Sequence, residues 1–295
     1  MSLRLEMLQV ARLAPTILGE EATSLVRDFV LRRQGEDGGF SDRDGVSDLY
    51  YTSFAIDCLT ALQVPLPQDA LGSYLEARLE DPGSLDFVHL CCLARCASAL
   101  ESGPGAAALA PVFARIEEFR APDGGYRQDD ESETGSTYAA FLAYGALSDH
   151  GREPPEPDGV SRSVRALETG HGAWANDVAL PVPNIPATAA AVTLYRNFGL
   201  AIPPETGPWI LSCQHPAGGF VPFPGAPLPD LLSTAVALHA LDGIQFPFGE
   251  SQDSLLDYVD TLWTAEGGFH GSWEDDELDI EYTYYGLLAL GHLAL

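Results

Sequence analysis

The sequence predicts an all-α fold, an α/α toroid of six helical hairpins with an inner and an outer ring of helices, and two observations predict it. A short turn carrying Gly-Gly or Gly-x-Gly and an aromatic recurs five times, as Gly38-Gly39-Phe40, Gly124-Gly125-Tyr126, Gly170-His171-Gly172-Ala173-Trp174, Gly218-Gly219-Phe220 and Gly267-Gly268-Phe269. The second glycines of the last four turns are 47, 47 and 49 residues apart, and the first gap of 86 residues holds a degenerate copy, Asp81-Pro82-Gly83-Ser84, near its middle. A fixed period in this range marks repeats that cannot bury their apolar faces alone and must stack. Each unit also pairs an amphipathic helix with one that is apolar nearly all round. A helix apolar on every side is buried on every side, and an inner ring inside an outer ring supplies that burial. An open two-helix solenoid is the alternative, but its two layers are ordinarily both amphipathic.

Residues 1–295 form a single domain on this reading, with repeats at about 20–62, 67–100, 106–148, 159–198, 204–242 and 251–295. The outer helices are expected near 21–33, 68–79, 109–120, 160–168, 205–213 and 251–263, with polar residues along one face. The inner helices are expected near 52–62, 86–100, 136–147, 187–198, 231–241 and 281–293, rich in Ala, Leu and Thr. The glycine pair between them lets the chain reverse sharply at positive φ, and the aromatic that follows plugs the barrel end. Proline-rich stretches such as Pro154-Pro155-Glu156-Pro157 and residues 222–229 read as ordered connections.

Composition narrows the partners. The chain carries 15 cations, all arginine, against 43 Asp and Glu, for a net charge of −28. Residues 197–295 hold no Arg or Lys and fourteen acidic residues. Such a surface repels phosphate backbones and anionic membranes, so nucleic acid is not an expected partner. No apolar run is long enough to span a bilayer. The leucines near the N-terminus are broken up by Arg4, Glu6, Arg12 and Pro15, which leaves no signal-type stretch and makes the cytoplasm the expected location. Five cysteines, three of them Cys91, Cys92 and Cys96, lack a disulfide spacing and read as reduced thiols.

Arg33-Gln34, Asp37-Gly38-Gly39-Phe40, Arg43, Asp48, Tyr51-Thr52 and Phe54 together resemble the repeat of protein prenyltransferase β subunits, including the Rab geranylgeranyltransferase type. More distantly they resemble the repeat of squalene and terpenoid cyclases. The resemblance extends to all six units. It implies a toroid whose central cavity holds an isoprenoid or another long apolar molecule, with chemistry at the mouth where the inner helices begin. A helical-repeat partner subunit, like the α subunit of those relatives, is implied as well.

Prenyltransferases bind a zinc ion through an Asp-x-Cys and a later His. The equivalent positions here are Asp230-Leu231-Leu232 and Tyr282, so only the Asp remains and zinc at the usual place is not expected. A closed ring has no intrinsic first unit, and a shifted frame restores part of the pattern. Arg43 falls at the diphosphate-arginine position, Asp48 at the zinc-aspartate position, Tyr50 at the cysteine position, Tyr51 at a diphosphate-contacting tyrosine and His89 at the zinc-histidine position. Asp48 and His89 are then metal ligands, and Arg43 and Tyr51 would stabilise a departing diphosphate. The plainer alternative makes Asp48 a helix cap, Arg43 part of a surface ion pair and His89 a core residue.

Two further patterns carry chemistry. Type II cyclases protonate isoprenoids with Asp-x-Asp-Asp-Thr-Ala at the head of an inner helix; Asn184-Ile185-Pro186-Ala187-Thr188-Ala189 matches its text but lacks every acid, whereas Asp279-Ile280-Glu281-Tyr282-Thr283 keeps an Asp-x-acid. If Glu281 faces a dry cavity its pKa rises and it becomes a proton donor; otherwise it is a solvated residue beside a capping Asp279. Asp275-Asp276-Glu277-Leu278-Asp279 spells the Asp-Asp-x-x-Asp string that holds magnesium diphosphate in isoprenoid synthases, and Asp129-Asp130-Glu131-Ser132-Glu133 is a similar cluster in repeat three. Facing each other across a mouth, these loops would hold Mg²⁺ or attract a basic peptide; as solvated loop charge they would do neither. His89, Cys92 and Cys96 share one helix face, which suits core packing better than a soft-metal site.

Overall fold

Six polar side chains set where the apolar helices begin. Asp48, Asp86, Ser136, Asn184, Asp230 and Asp279 each accept a hydrogen bond from a backbone N–H two or three residues further on, the geometry of an N-cap. The helices they start are α3 (Leu49–Ala61), α5 (Phe87–Ala99), α7 (Thr137–Ser148), α9 (Ile185–Asn197), α11 (Leu231–Gly243) and α13 (Ile280–Leu293). Each packs on the next in that order and α13 packs on α3, so the inner ring is closed. The computed structural model describes residues 2–129 and 131–295.

The outer ring consists of α2 (Pro15–Leu31), α4 (Gln68–Leu79), α6 (Ala106–Glu118), α8 (Pro157–Ala166), α10 (Thr206–Ser212) and α12 (Gln252–Leu262). These helices present a polar face to solvent and bury a narrower stripe, such as Leu71, Tyr74 and Leu75 of α4. The α/α toroid expected from the sequence is therefore the fold observed. Among the described residues, no helix is long and apolar enough to cross a membrane.

A repeated clasp joins the rings. The aromatic after each glycine turn pairs with the residue six before it, as in Gln34 with Phe40 and Gln214 with Phe220. In four of the five turns its N–H then donates to a threonine of the inner helix, Phe40 to Thr52 at 2.9 Å, Trp174 to Thr188 at 3.0 Å, Phe220 to Thr234 at 2.9 Å and Phe269 to Thr283 at 3.4 Å, whereas after Tyr126 the position is Ala140. Thr52 and Thr234 in turn donate to the carbonyl of their own N-cap residue. A buried backbone N–H is thereby satisfied in place of a lost sheet partner. In repeat one the clasp extends into a two-stranded antiparallel ribbon, β1 (Phe40–Ser41) and β2 (Ser47–Asp48).

The glycines explain how neighbouring units approach. Gly38 has φ +91°, and a Cβ there would lie 2.1 Å from the carbonyl oxygen of Ala70 on the next outer helix. Gly267 has φ +94° and meets Leu25 of α2 at the same 2.1 Å. The last turn thus docks on the first outer helix, as the others dock on their successors.

One element was not foreseen. Residues Leu3–Ala11 form a short helix, α1, that packs on α3, α7 and α13 from inside the ring. It sits at the C-terminal ends of the inner helices, where Arg4 bonds Asp57 at 2.5 Å, Glu6 pairs with Arg196, and Gly291 leaves room for the Val10 carbonyl. α1 therefore closes the end of the annulus opposite the mouth.

The close approach at Gly267 is testable against Gly45, which shares a positive φ of +82° but has open space around it. Gly45→Ala is expected to cost only the left-handed backbone term, about 1–2 kcal/mol. Gly267→Ala should cost distinctly more in urea unfolding, because Leu25 must also move; equal losses would show that the seam tolerates separation.

Candidate functional site

The mouth is built at the N-terminal ends of the inner helices. The starts of α7, α9 and α11 are each tied to a loop of the next unit: Thr137 N–H donates to Asn176 O, Ile185 N–H to Pro222 O and Leu231 N–H to Gly271 O. The side chain at the second position after the N-cap then points into the hollow. Tyr138, Pro186 and Leu232 occupy that position and line the cavity. Tyr50 and Glu281 occupy it in α3 and α13, and the Tyr50 hydroxyl donates to Glu281 Oε1 at 2.7 Å.

Glu281 is the acid among these inward residues. Burial pushes its carboxyl up to about 7, with the Tyr50 hydrogen bond acting in the opposite direction and the nearby Asp279 charge adding to the rise. Around it the phenols of Tyr50, Tyr138 and Tyr285 are raised, in each case first by burial, with Glu281 contributing. Phe54 extends the aromatic wall, 5.0 Å from Tyr50 and 5.6 Å from Tyr285 between ring centres. Below lies a cavity of about 90 Å³ walled by Tyr138, Phe141, Leu232, Val236 and Tyr285, with Met7 of α1 and His239 at its floor.

At the rim, Arg43 is fully engaged. Its Nε bonds Asp279 at 2.8 Å, its two terminal nitrogens bond Asp275 at 2.8 and 3.1 Å, and Glu277 lies at 3.7 Å. Asp279, only 1% exposed, also caps α13. Burial tends to raise the Asp275 carboxyl, but the bond and charge of Arg43 together with the backbone N–H groups of Glu277 and Gly271 outweigh it and the net shift is downward. Tyr282 lies against the Arg43 guanidinium, 5.6 Å from ring centre to charge. Arg43 and the last-repeat acids, separate candidates in the sequence, are thus one ion cluster.

Asp48 and His89 are also brought together. Asp48 Oδ1 caps α3 by accepting from the Tyr50 and Tyr51 N–H groups, while Oδ2 meets His89 Nε2 at 2.8 Å. His89 Nδ1 meets Asp86 Oδ1 at 2.8 Å. The Asp48 bond, opposed by partial burial and helped by Asp86, raises the imidazole to about 9. Burial tends to raise Asp48, but His89 and the Tyr50 and Tyr51 N–H groups together outweigh it and lower the carboxyl overall. Tyr51 stands beside this group, its phenol raised to about 12 chiefly by burial. Among the described residues, no group of three or more His, Cys, Asp or Glu is placed to hold a metal ion.

The remaining candidates stay apart from the hollow. Asp129 accepts from Glu131 N–H, Ser132 N–H and the Ser132 hydroxyl within its own loop, and Asp130 lies outside the described residues. Asp276 is exposed beside an open polar groove with Trp273 and His270. Cys91, Cys92, Cys96 and Cys213 are buried thiols. Sequence reasoning missed Tyr138, Tyr285 and Met7 as cavity walls. The spacing from each N-cap carried the signal for Tyr138, since the second residue after the cap turns inward in repeat after repeat.

Comparison with known proteins places this fold. The chain matches the family described as the prenyltransferase alpha-alpha toroid domain over residues 17–82 and 203–294, together just over half its length. Among curated protein sequences none matches. It is similar in structure to the type II terpene cyclase MstE from Scytonema in complex with merosterolic acid A, with a TM-score of 0.64 at 14% identity, covering 96% of both chains. A protein from Actinoplanes gives a TM-score of 0.66 at 16% identity over 94% of this chain and all of that one. An alpha-1,6-mannanase of Salegentibacter in complex with mannotriose gives 0.63 at 9% identity over 93% of this chain and 98% of its own. At such identities these likenesses establish the shared toroid and nothing about the ligand.

Two measurements check the rim. His89 has a raised pKa, so its stabilisation is fully present below the unfolded value of 6.5 and is lost as pH rises through about 9. Its ring protons should titrate near 9 by NMR, and His89→Gln should flatten the alkaline fall in stability. Arg43→Met should lower stability by about 1–3 kcal/mol at neutral pH, reading a partly exposed cluster below the range for a buried pair. Because Asp275 is lowered, that difference should shrink as acid protonates the carboxylates.

Proposed function

Because the chain belongs to the prenyltransferase alpha-alpha toroid family, we propose that it is an isoprenoid-handling protein whose chemistry, of the terpenoid-cyclase kind, is proton transfer by Glu281. The observation that carries this reading is a carboxyl raised to about 7 and hydrogen-bonded to Tyr50, at the head of an inner helix above an aromatic-walled cavity. Burial keeps a neutral acid populated near pH 7. Tyr50 donates to Oε1, which leaves Oε2 to carry the proton.

The step balances without a further reactant. The Oε2 proton passes to one carbon of an electron-rich double bond, whose π pair becomes the new C–H bond, and positive charge appears on the other carbon. The faces of Tyr50, Tyr138 and Tyr285 stabilise that cation by cation–π attraction. Loss of a proton from a neighbouring carbon, directly or after ring closure, restores a neutral product and returns a proton to the Glu281 carboxylate. Asp279 and Glu281 keep the Asp-x-acid spacing at the helix head that the cyclase resemblance points to. MstE, of the same fold, is solved with geranylgeranyl dihydroxybenzoate as its substrate, which supports testing prenylated substrates here.

Prenyl transfer through Arg43, Asp48, Tyr51 and His89 is less favoured. An incoming diphosphate has to displace Asp275 and Asp279 from Arg43, and magnesium at the acidic loop has to do the same from the other side. A second reading, a non-catalytic interaction toroid, is favoured by the cavity itself: about 90 Å³ is well below the roughly 300 Å³ at which ligand sites usually begin.

Incubation with prenylated phenols and prenyl alcohols in D₂O discriminates. Protonation at carbon installs one deuterium in the product, so mass spectrometry should find it with the native chain and not with Glu281→Gln. The rate should fall as pH rises through about 7, where the acid form is lost. Since a raised carboxyl pKa penalises the folded state at higher pH, Glu281→Gln should also stabilise the protein above pH 7, by on the order of 2 kcal/mol. Deuterium incorporation undiminished in Glu281→Gln would remove the assigned acid, and no turnover or binding of any isoprenoid would leave the interaction toroid.

A further inference from the structure

Resting on that reading, we propose that α1 is a built-in floor of the ligand cavity and that Met7 sets how far a prenyl chain can enter, so that the protein takes up a single terminal isoprene unit. The hollow of a toroid runs through the ring unless something closes it. Here α1 fills the end opposite the mouth, and Met7 projects from it into the cavity beneath Tyr138, Phe141 and Tyr285.

The floor is fastened on several sides. Arg4, on one face, bonds Asp57 of α3 at 2.5 Å, and Asp57 lies 3.6 Å from Arg95 of α5, which lies 3.4 Å from Asp149 at the end of α7. Glu6, on another face, pairs with Arg196 of α9 and faces His239 of α11 at 4.0 Å. Val10 seats its carbonyl against Gly291 of α13, where a Cβ would stand 2.2 Å away. All six inner helices contribute to this seat, so α1 cannot retreat without breaking the buried Arg4–Asp57 pair and the half-buried Glu6–Arg196 pair.

Volume then decides what fits. A dry apolar cavity of about 150 Å³ accommodates one benzene ring. The 90 Å³ here suits the smaller branched end of a prenyl chain, with the remainder of the chain lying up through the mouth past Tyr50 and Glu281. That arrangement brings the terminal double bond, the one a proton donor would attack, below the acid. Replacing Met7 by a smaller residue deepens the cavity toward α1 without touching the acid or its tyrosine.

The test is affinity against chain length, using dimethylallyl alcohol, geraniol and farnesol with the full chain in calorimetry. Native protein should bind dimethylallyl alcohol, geraniol and farnesol with closely similar affinity, a plateau from the first unit onward, since only the terminal unit is enclosed. Met7→Ala should move the plateau outward, with farnesol gaining roughly ten-fold as two or so further carbons are buried. Met7→Trp should weaken all three alcohols by a similar factor, while Leu5→Ala, on the 50% exposed face of α1, should change nothing. Should Met7→Ala fail to fold, Met7→Val is read in its place, with a smaller shift in the same direction. If native protein binds prenyl alcohols and the plateau does not move in the Met7 variants, the floor assignment is wrong and the proton-transfer reading stands. If no variant and no native sample binds any of them, both fall together.

Discussion

The structure depends on one seam, the joint at which the sixth repeat meets the first. Six helices apolar on all sides are stable only if each has two inner neighbours, so the ring must close or expose the flanks of α3 and α13. At every other joint the chain itself keeps neighbours together. At the seam, contact is made between residues more than two hundred positions apart. There Arg33 donates to Leu278 O, Arg32 to Glu266 O and Arg43 to Asp275 and Asp279, while Gly267 lets the last turn rest on Leu25.

That joint gives a structural meaning to the uneven charge. The absence of cations after Arg196 leaves the sixth repeat with acids alone at its rim, and the arginines that answer them come from the first. Complementary ends close a ring in one register, because like-charged ends repel and a slipped pairing leaves Asp279 buried without its partner. The same joint assembles the candidate acid. Tyr50 belongs to the first repeat and Glu281 to the last, so the hydrogen bond that orients the carboxyl exists only in the closed ring. Closure and the candidate acid are therefore coupled at one pair of side chains.

The fold was legible because its signals are local and repeated. Glycines near one period, aromatics behind them and threonine-bearing apolar helices each arise from contacts within a unit or with the next. Asp48 and Asp279 could be read as helix caps for the same reason, since the groups they satisfy lie within three residues. Arg43 could not be resolved from sequence, because its partners are remote and the choice among diphosphate, surface carboxylate and buried carboxylate is made by the seam. Glu281 was recognisable as an acid at a helix head, but its raised pKa follows first from burial, which depends on how the remote repeats close around it. α1 carried no periodic signal at all: nine residues of mixed polarity acquire meaning only once there is a hole for them to fill.

The charges on α1 show how such a weakly patterned helix can hold one orientation. Apolar contact alone would let a short helix in a greasy hole rotate about its axis at little cost, because the buried Leu3, Leu8 and Ala11 make no directional bonds. Arg4 and Glu6 remove that freedom, since the first needs the Asp57 side of the ring and the second needs the Arg196 side. Desolvating these groups costs much of what their pairing returns, so they add little net stability. Their effect is on angle: with Arg4 and Glu6 paired to opposite sides of the ring, Met7 is the residue turned toward the cavity. One buried and one half-buried ion pair thus fix the angle of the plug, and the side chain it turns to the cavity, Met7, carries no charge.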